Sequence, residues 1–506
     1  MGGFKKLAGE TAIYGMSTII ARMINFFLVP VYTVVLSRGQ YGAYSEIMSY
    51  IAVLQVVLVL GLETGCFRFA NKDGVNPSKV FSSALGTVFT LCLVFFIFVA
   101  LYSGRIAALM GYEGYGKMIL YAGGILFLDS VTAILFAKLR YMYKAVKFAV
   151  FKTIKILSEF GFNLLFLYML PSYFKGHPHS FLLNFIPAQV DFSYIIFAVF
   201  LSCIVCTVLL LPDFFKVGMK IEGKLTKKLL AYSVPLMIAS FPGILNESID
   251  KILFRFFAPG ADWRSDLGVY QAAVKLAVIM NLFIQMFRYA AEPFFFARQK
   301  DKNSRVLYAR VMEYFVAFCM LIFVGVLLYM DLIGLLIGKD FRGAFGTIPL
   351  KLFSYMLLGI LFNVSMWYKI GGYTKYAINI TLLGLVVNAV VNILFLPLIS
   401  YWASAFGHVV SCSAMLLYSL HLGNKYYPIP YDWKRISRYI FAGIIIFLIF
   451  RFADYLLGKA DIFGNTALLV WRMALGTIGI AIYCIYALKK TGMWADIIKR
   501  LSKNKK

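Results

Sequence analysis

KFAVFKTIKILSEFGFNLLFLYML, Lys147–Leu170, is the stretch on which the fold turns. It is long enough to cross a bilayer, since about 20 predominantly apolar residues span the hydrocarbon as a helix. Yet Lys152, Lys155 and Glu159 interrupt it. The same contradiction recurs in Thr11–Leu36, which holds Arg22, and in Gly268–Ala290, which holds Lys275 and Arg288. Ionisable groups at such depth are costly unless protein or water lines them, so they mark a pathway for a substrate or an ion. Most of these groups are cationic, which points to an anionic passenger.

Composition sets the class. The chain has 506 residues, is 61% hydrophobic and 14% charged, and has a mean hydropathy of +0.80. A soluble protein of this size has no interior large enough for so much apolar surface. The net charge of +27 falls in short clusters between apolar runs, as the positive-inside rule requires, and not on a nucleic-acid-binding face. Nucleic acid is not an expected partner. The seven cysteines lie in or beside apolar runs. Cys203 and Cys206 have CxxC spacing, but AVFLSCIVCTVLLL around them offers no other ligand, so packing is expected and no metal or cofactor. MGGFKKLAGETAIYG at the start lacks a signal-peptide pattern and reads as the opening of a retained helix.

A spanning-length window gives about fourteen transmembrane helices, near residues 11–36, 45–67, 80–102, 118–137, 148–170, 192–211, 229–253, 268–290, 312–336, 346–368, 376–397, 401–422, 437–457 and 467–488. Lys and Arg alternate between successive connections, about 30 on one side against about 9 on the other, which places both termini in the cytoplasm. The expected fold is an all-α polytopic membrane protein. Its divisions are a six-helix lobe over 1–211, a basic cytoplasmic linker over 212–228, a second six-helix lobe over 229–422, and two further helices with a basic tail over 423–506. The linker, PDFFKVGMKIEGKLTKK, suits an amphipathic segment on anionic headgroups. An internal echo supports the two halves: Gly42 and Tyr44 of YGAYSEIMSYIAVL match Gly268 and Tyr270 of LGVYQAAVKLAVIM, as in tandem-repeat transporters.

Four polar constellations stand out. Tyr14, Thr18, Arg22 and Asn25 share one helical face; Arg22 lies about 16 Å from Thr11 along the axis, near the bilayer centre. Its fork of donors suits phosphate or carboxylate, and an ion pair with Glu63 is the plainer account. On the fifth span Lys144, Lys147, Lys152, Lys155 and Glu159 make a stripe, with a Lys155–Glu159 pair one turn apart as the structural alternative. On the seventh, Glu247, Asp250 and Lys251 read as a self-neutralising cluster ahead of a proton gate. On the eighth, Gln271, Lys275, Asn281, Gln285, Arg288 and Glu292 form a stripe fit to line an aqueous cavity, with Arg288–Glu292 as a local salt bridge. Asn388 and Asn392 are expected to bond a neighbouring helix, His408 to pack, and Pro30 and Pro235 to kink their helices.

Walker-type glycine loops, HExxH and DxD are absent, and no connection exceeds roughly 20 residues. An enzyme is therefore not expected. AIYGMSTIIARMINFFLVPVYTVVLSRGQYGAYS (Ala12–Ser45), KKLLAYSVPLMIAS (Lys227–Ser240), LGVYQAA (Leu267–Ala273), FRYAAEPFFFARQKD (Phe287–Asp301) and NVSMWYKIGGYTKYA (Asn363–Ala377) resemble the polysaccharide-biosynthesis, Wzx-type flippases of the multidrug/oligosaccharidyl-lipid/polysaccharide exporter superfamily. The resemblance covers nearly the whole chain. It implies movement of an undecaprenyl-diphosphate-linked oligosaccharide (an O-antigen of lipopolysaccharide, a capsule or an exopolysaccharide unit) across the inner membrane by alternating access.

The cationic cavity would then be lined by Arg22, Lys152, Lys155, Lys275 and Arg288. The accessory polar set would be Tyr14, Thr18, Asn25, Glu63, Glu159, Glu247, Asp250, Lys251, Gln271 and Gln285. Implied partners are the lipid-linked oligosaccharide, membrane lipids, glycan polymerase and chain-length machinery, and a coupling H⁺ or Na⁺. The rivals are a cation-coupled multidrug exporter and a peptidoglycan-precursor flippase. Thr11–Leu36 lacks the carboxylate usual in the first helices of the multidrug branch. Replacing Arg22 by Ala is expected to abolish surface glycan with protein abundance unchanged, read by glycan staining beside an immunoblot.

Overall fold

The computed structural model describes residues 23–177, 190–459 and 465–491. Tyr14, Thr18 and Arg22 lie outside the described residues. Helix α1 (Met23–Val35) is the described part of the first apolar run. Then come α2 (Arg38–Val59), α3 (Leu62–Ala70), α4 (Pro77–Leu109), α5 (Gly116–Tyr141), α6 (Ala145–Leu164), a π-helical turn (Leu165–Met169), α7 (Leu170–Gly176), α8 (Ser193–Val217), α9 (Gly223–Asn246) and α10 (Ile249–Phe257). The chain continues with α11 (Trp263–Ala297), α12 (Ser304–Leu328), α13 (Met330–Ile333), α14 (Ile348–Val364), α15 (Met366–Ile370), α16 (Lys375–Ile399), α17 (Tyr401–Tyr426), α18 (Trp433–Lys459) and α19 (Asn465–Thr491). No strand occurs among the described residues. Among the described residues, thirteen helical stretches are long and apolar enough to span a membrane, and α1 adds a shorter apolar piece, so each of the fourteen expected spans has a helix in its described part.

Several breaks fall inside expected spans, and each has a local cause. Leu60 and Gly61 both take left-handed backbone conformations, φ 55° and 66°, which ends α2 and restarts the chain as α3. Pro171 cannot donate a backbone hydrogen bond, and the widened π turn before it takes up the mismatch. The seventh span breaks at Glu247–Ser248, between α9 and α10.

The stretch over 212–228 is not a free linker. Helix α8 continues through Pro212 to Val217, and α9 starts at Gly223. The residues between are pinned to the start of α4. Lys220 N donates to Ser82 Oγ at 2.8 Å, Ser83 Oγ donates to Lys220 O at 3.2 Å, and Glu222 N donates to Ser83 Oγ at 3.2 Å. Lys79 closes on Glu222 at 2.6 Å. Backbone groups that a headgroup region would have to satisfy are satisfied by two serines instead.

Packing divides the described residues into two compact units. One runs to Gln271 and includes Asn388–Tyr401; the other takes Ala272–Val387 and continues from Trp402. The division falls inside α11 and not over 212–228. In the first unit, small residues bring helices close. Gly61 and Gly65 form a G-x-x-x-G face on which a Cβ would meet Ser233 of α9. A Cβ at Gly42 would overlap the Arg264 carbonyl, and one at Gly268 would overlap the Arg38 carbonyl. The echoed glycines of the two sequence halves thus face each other where α2 crosses the start of α11, with Gly268 N 3.1 Å from the Gly42 Cβ position.

In the second unit α18 and α19 pack on α12. Tyr483 donates to the Ala317 carbonyl at 3.1 Å, and Arg472 bridges Asp454 at 2.5 Å and Asp331 at 3.3 Å. Trp367 stacks on Tyr426 with centroids 5.9 Å apart and donates to Ser419 Oγ at 3.1 Å.

Gly268→Ala is expected to destabilise the protein by about 1–3 kcal/mol, because the added methyl must push two backbones apart. Gly161→Ala, at a position with nothing within 4 Å, is expected to leave the thermal midpoint in detergent unchanged or raise it.

Candidate functional site

The clearest concentration of intramembrane charge lies where α5, α6 and α8 pack. Lys155 is about 15 Å from the start of α6 at about 1.5 Å per residue, close to half of a bilayer core about 30 Å thick. Its ammonium sits 2.5 Å from Asp129 Oδ1 of α5. The Cys203 thiol of α8 donates to the same oxygen at 3.4 Å. One turn back on α6, the Lys152 ammonium lies 4.3 Å from the centroid of Phe136 on α5. No carboxylate stands within ion-pair distance of Lys152 among the described residues. Nearer the start of α6, Lys147 pairs with Asp213 of α8 at 2.6 Å. The face therefore steps inward from a paired lysine, through one held on an aromatic ring, to one held by a half-buried carboxylate.

This arrangement corrects two expectations. Lys155 is not an unpaired cation, and the carboxylate that takes it is Asp129, not the neighbouring Glu159. Glu63 is not reserved for the first span either: Arg140 of α5 reaches it at 2.6 Å, with its guanidinium also 5.4 Å from the Phe67 ring. Asn25, half-buried on α1, has an Oδ1 with no hydrogen-bond partner among the described residues.

The seventh-span cluster resolves differently. Asp250 is buried, and its Oδ1 accepts from the Lys251 backbone N–H at 2.9 Å within the first turn of α10. The Lys251 ammonium goes to the Glu247 backbone carbonyl at 3.3 Å and not to its exposed carboxylate. Asn388 donates to the Asn246 carbonyl and side-chain oxygen, each at 3.0 Å, and Asn392 donates back to Asn388 at 2.9 Å. Asn388 thus bonds a neighbouring helix, at the end of α9, as expected, whereas this bond of Asn392 stays within α16.

Along α11 the polar stripe passes from buried to exposed. Gln271 is buried, Lys275 and Asn281 are half-buried, and Arg288 is exposed. Gln285 Nε2 donates to Asn281 Oδ1 at 3.4 Å. The expected Arg288–Glu292 bridge is replaced: Glu292 accepts from Lys369 of α15 at 2.7 Å, and Arg288 lies 4.9 Å from the Phe362 ring.

One cluster was missed entirely. Glu46 of α2 is fully buried, accepts from the Tyr112 hydroxyl, and takes Arg255 of α10 at 3.3 Å. Arg255 also donates to the carbonyls of Met110 at 2.6 Å and Leu109 at 2.8 Å, at the end of α4. Arg264 donates to Gly111 at 3.1 Å and stacks 4.4 Å from the Tyr112 ring. These two arginines cap carbonyls that a helix end leaves orphaned. Burial, then the adjacent carboxylate, push the Tyr112 phenol up from its ordinary value, so it stays a donor. The signal was present in the sequence: Glu46 and Asp129 are acids in apolar runs, just as the flagged lysines are bases.

Glu46→Ala would leave Arg255 without its carboxylate and is expected to cost about 3–5 kcal/mol. The Glu46→Gln/Arg255→Met double substitution is expected to recover part of that loss in detergent unfolding, and Tyr112→Phe to cost about 1 kcal/mol.

Comparisons place this geometry among known proteins. A family model described as "Polysaccharide biosynthesis protein" matches residues 7–299. An uncharacterized membrane protein of Methanocaldococcus jannaschii (MJ1068) is 22% identical, with 96% of this chain and 97% of that protein covered. Among solved structures, the lipid II flippase MurJ in an inward closed conformation matches with a TM-score of 0.72 at 14% identity, over 94% of this chain and 99% of that one. An inward-facing multidrug resistance MATE transporter of the MOP superfamily matches with a TM-score of 0.57 at 12% identity, over 83% of this chain and 98% of that one. The fold is that of MurJ and the MATE transporters.

Proposed function

The chain belongs to the polysaccharide biosynthesis protein family, and from that premise we propose that it is a flippase, not an enzyme. Its cargo on this reading is an undecaprenyl-diphosphate-linked oligosaccharide, carried from the cytoplasmic to the outer leaflet of the inner membrane. The observation that carries the proposal is the pair of ammonium groups on α6, Lys152 and Lys155, at membrane depth. A diphosphate is the group on such a cargo that two lysines would attract most strongly, and a sugar chain offers them only neutral hydroxyls.

The chemistry asked of the protein is modest. No bond is made or broken. The head must cross while the polyprenyl chain stays in hydrocarbon, and alternating access between two lobes (1–211 and 229–422) achieves this without an open pore. Moving a negative charge outward runs with an inside-negative potential, worth about 2.3 kcal/mol per charge per 100 mV. Exchange with H⁺ or Na⁺ would add to that drive. With both termini in the cytoplasm, the paired Lys147 and then Lys152 meet the head first, and polymerase and chain-length machinery would take it over outside. Arg22, Lys275 and Arg288 complete the proposed cationic set.

A second reading is supported by the MurJ likeness: a peptidoglycan precursor is also a polyprenyl-diphosphate-linked sugar and would engage the same lysines. The drug-export reading has less support, because α1 carries no carboxylate.

Lys152→Gln removes a cation with no carboxylate at ion-pair distance among the described residues, so the fold is expected to persist. Transfer of a fluorescent polyprenyl-diphosphate-linked sugar across proteoliposomes is expected to fall at least tenfold at equal protein incorporation. Unchanged transfer would remove α6 from the mechanism. Deleting the gene is expected to abolish glycan display and leave dye efflux unaltered; the reverse outcome would favour drug export.

A further inference from the structure

Asp129 occupies the position that an incoming anion would have to contest. Its Oδ1 holds the Lys155 ammonium at 2.5 Å and accepts from the Cys203 thiol at 3.4 Å. The pair is half-buried and not sealed, with 13% of the Lys155 side chain and 19% of the Asp129 side chain exposed. Lys152, one turn away, rests on Phe136 at 4.3 Å. Among the described residues, the immediate contacts of Lys152 and Lys155 thus contain two ammonium groups and one carboxylate. Glu159, one turn further along α6, lies near enough to act electrostatically on Cys203 as well as on Tyr32 and Tyr44 of the first two helices.

A pair whose only task was to neutralise a stray lysine would need one lysine, and it would be best closed off from water. This one is left partly open beside a second cation. A single carboxylate carries one negative charge, whereas a diphosphate carries more and offers oxygens enough for both ammonium groups at once. In an interior of low polarity the more highly charged anion wins that contest, but only by the difference between the two interactions.

We propose that Asp129 is the resident counter-anion of the headgroup site: it keeps Lys155 charged and aimed while the site is empty, and yields it to the diphosphate when substrate arrives. The inference rests on the reading that this face takes the phosphates. Asp129 is a positioning residue here and touches no substrate. Its effect is to weaken binding, and so to let the head leave again. A site with two bare lysines would hold a diphosphate tightly and release it slowly.

The test uses full-length protein in nanodiscs, with farnesyl diphosphate as the probe for binding and a fluorescent polyprenyl-diphosphate-linked sugar for transfer. Asp129→Asn is expected to bind the probe about tenfold more tightly or better, yet to transfer the sugar more slowly, and Asp129→Glu is expected to restore both. Equal or weaker binding by a folded Asp129→Asn protein would overturn the counter-anion role. Should that variant not fold, Asp129→Asn/Lys155→Gln leaves no unbalanced charge at the pair. Weaker probe binding by the double variant than by the wild type supports the proposal; equal binding marks the pair as structural and overturns it. No binding of the probe to wild-type protein would sink the headgroup reading itself, and this inference with it.

Discussion

A hydrocarbon solvent offers no hydrogen bonds, so every charge carried into it must find its partner within the protein. Most of the described architecture follows from that demand. Asp129 with Lys155, Glu46 with Arg255, and Glu63 with Arg140 are each joined across different helices. These ties fix which helices are neighbours, in which rotation and at which height. Apolar packing in lipid is weakly selective, because one leucine-rich face fits another about as well as it fits acyl chains. The ion pairs supply the selectivity.

The same demand explains the backbone. Where helices stop, several of their free groups are taken up by side chains from elsewhere in the chain. The carbonyls at the end of α4 are collected by Arg255 and Arg264. The end of α9 is collected by Asn388. The short passage from α8 to α9 is held by Ser82 and Ser83. None of these partners is close in sequence to the groups it satisfies.

That separation marks the limit of what could be read from the chain. Helix number and approximate position were legible, because hydropathy is a property of contiguous residues and each expected span has its helix. The exceptional positions inside apolar runs were legible too, as Lys152 and Lys155 show. Their partners were not. Expectation turned to the nearest opposite charge on the same helix, Glu159 for Lys155 and Glu292 for Arg288, since i, i+4 neighbours are the only ones a single helix reveals. The protein instead used Asp129 and Phe362 from other helices. Glu46 and Asp129 are equally exceptional inside apolar runs, but their roles rest on partners from distant helices. The breaks after Val59 and Asn246 were hidden because a hydropathy window averages across a kink.

The meeting of Gly42 with Gly268 leaves no room for a side chain on either helix. Each backbone is the other's wall, so a carbon gained on one side is felt directly on the other. Substitution at this crossing is therefore a two-helix problem, open only to changes that both backbones accept.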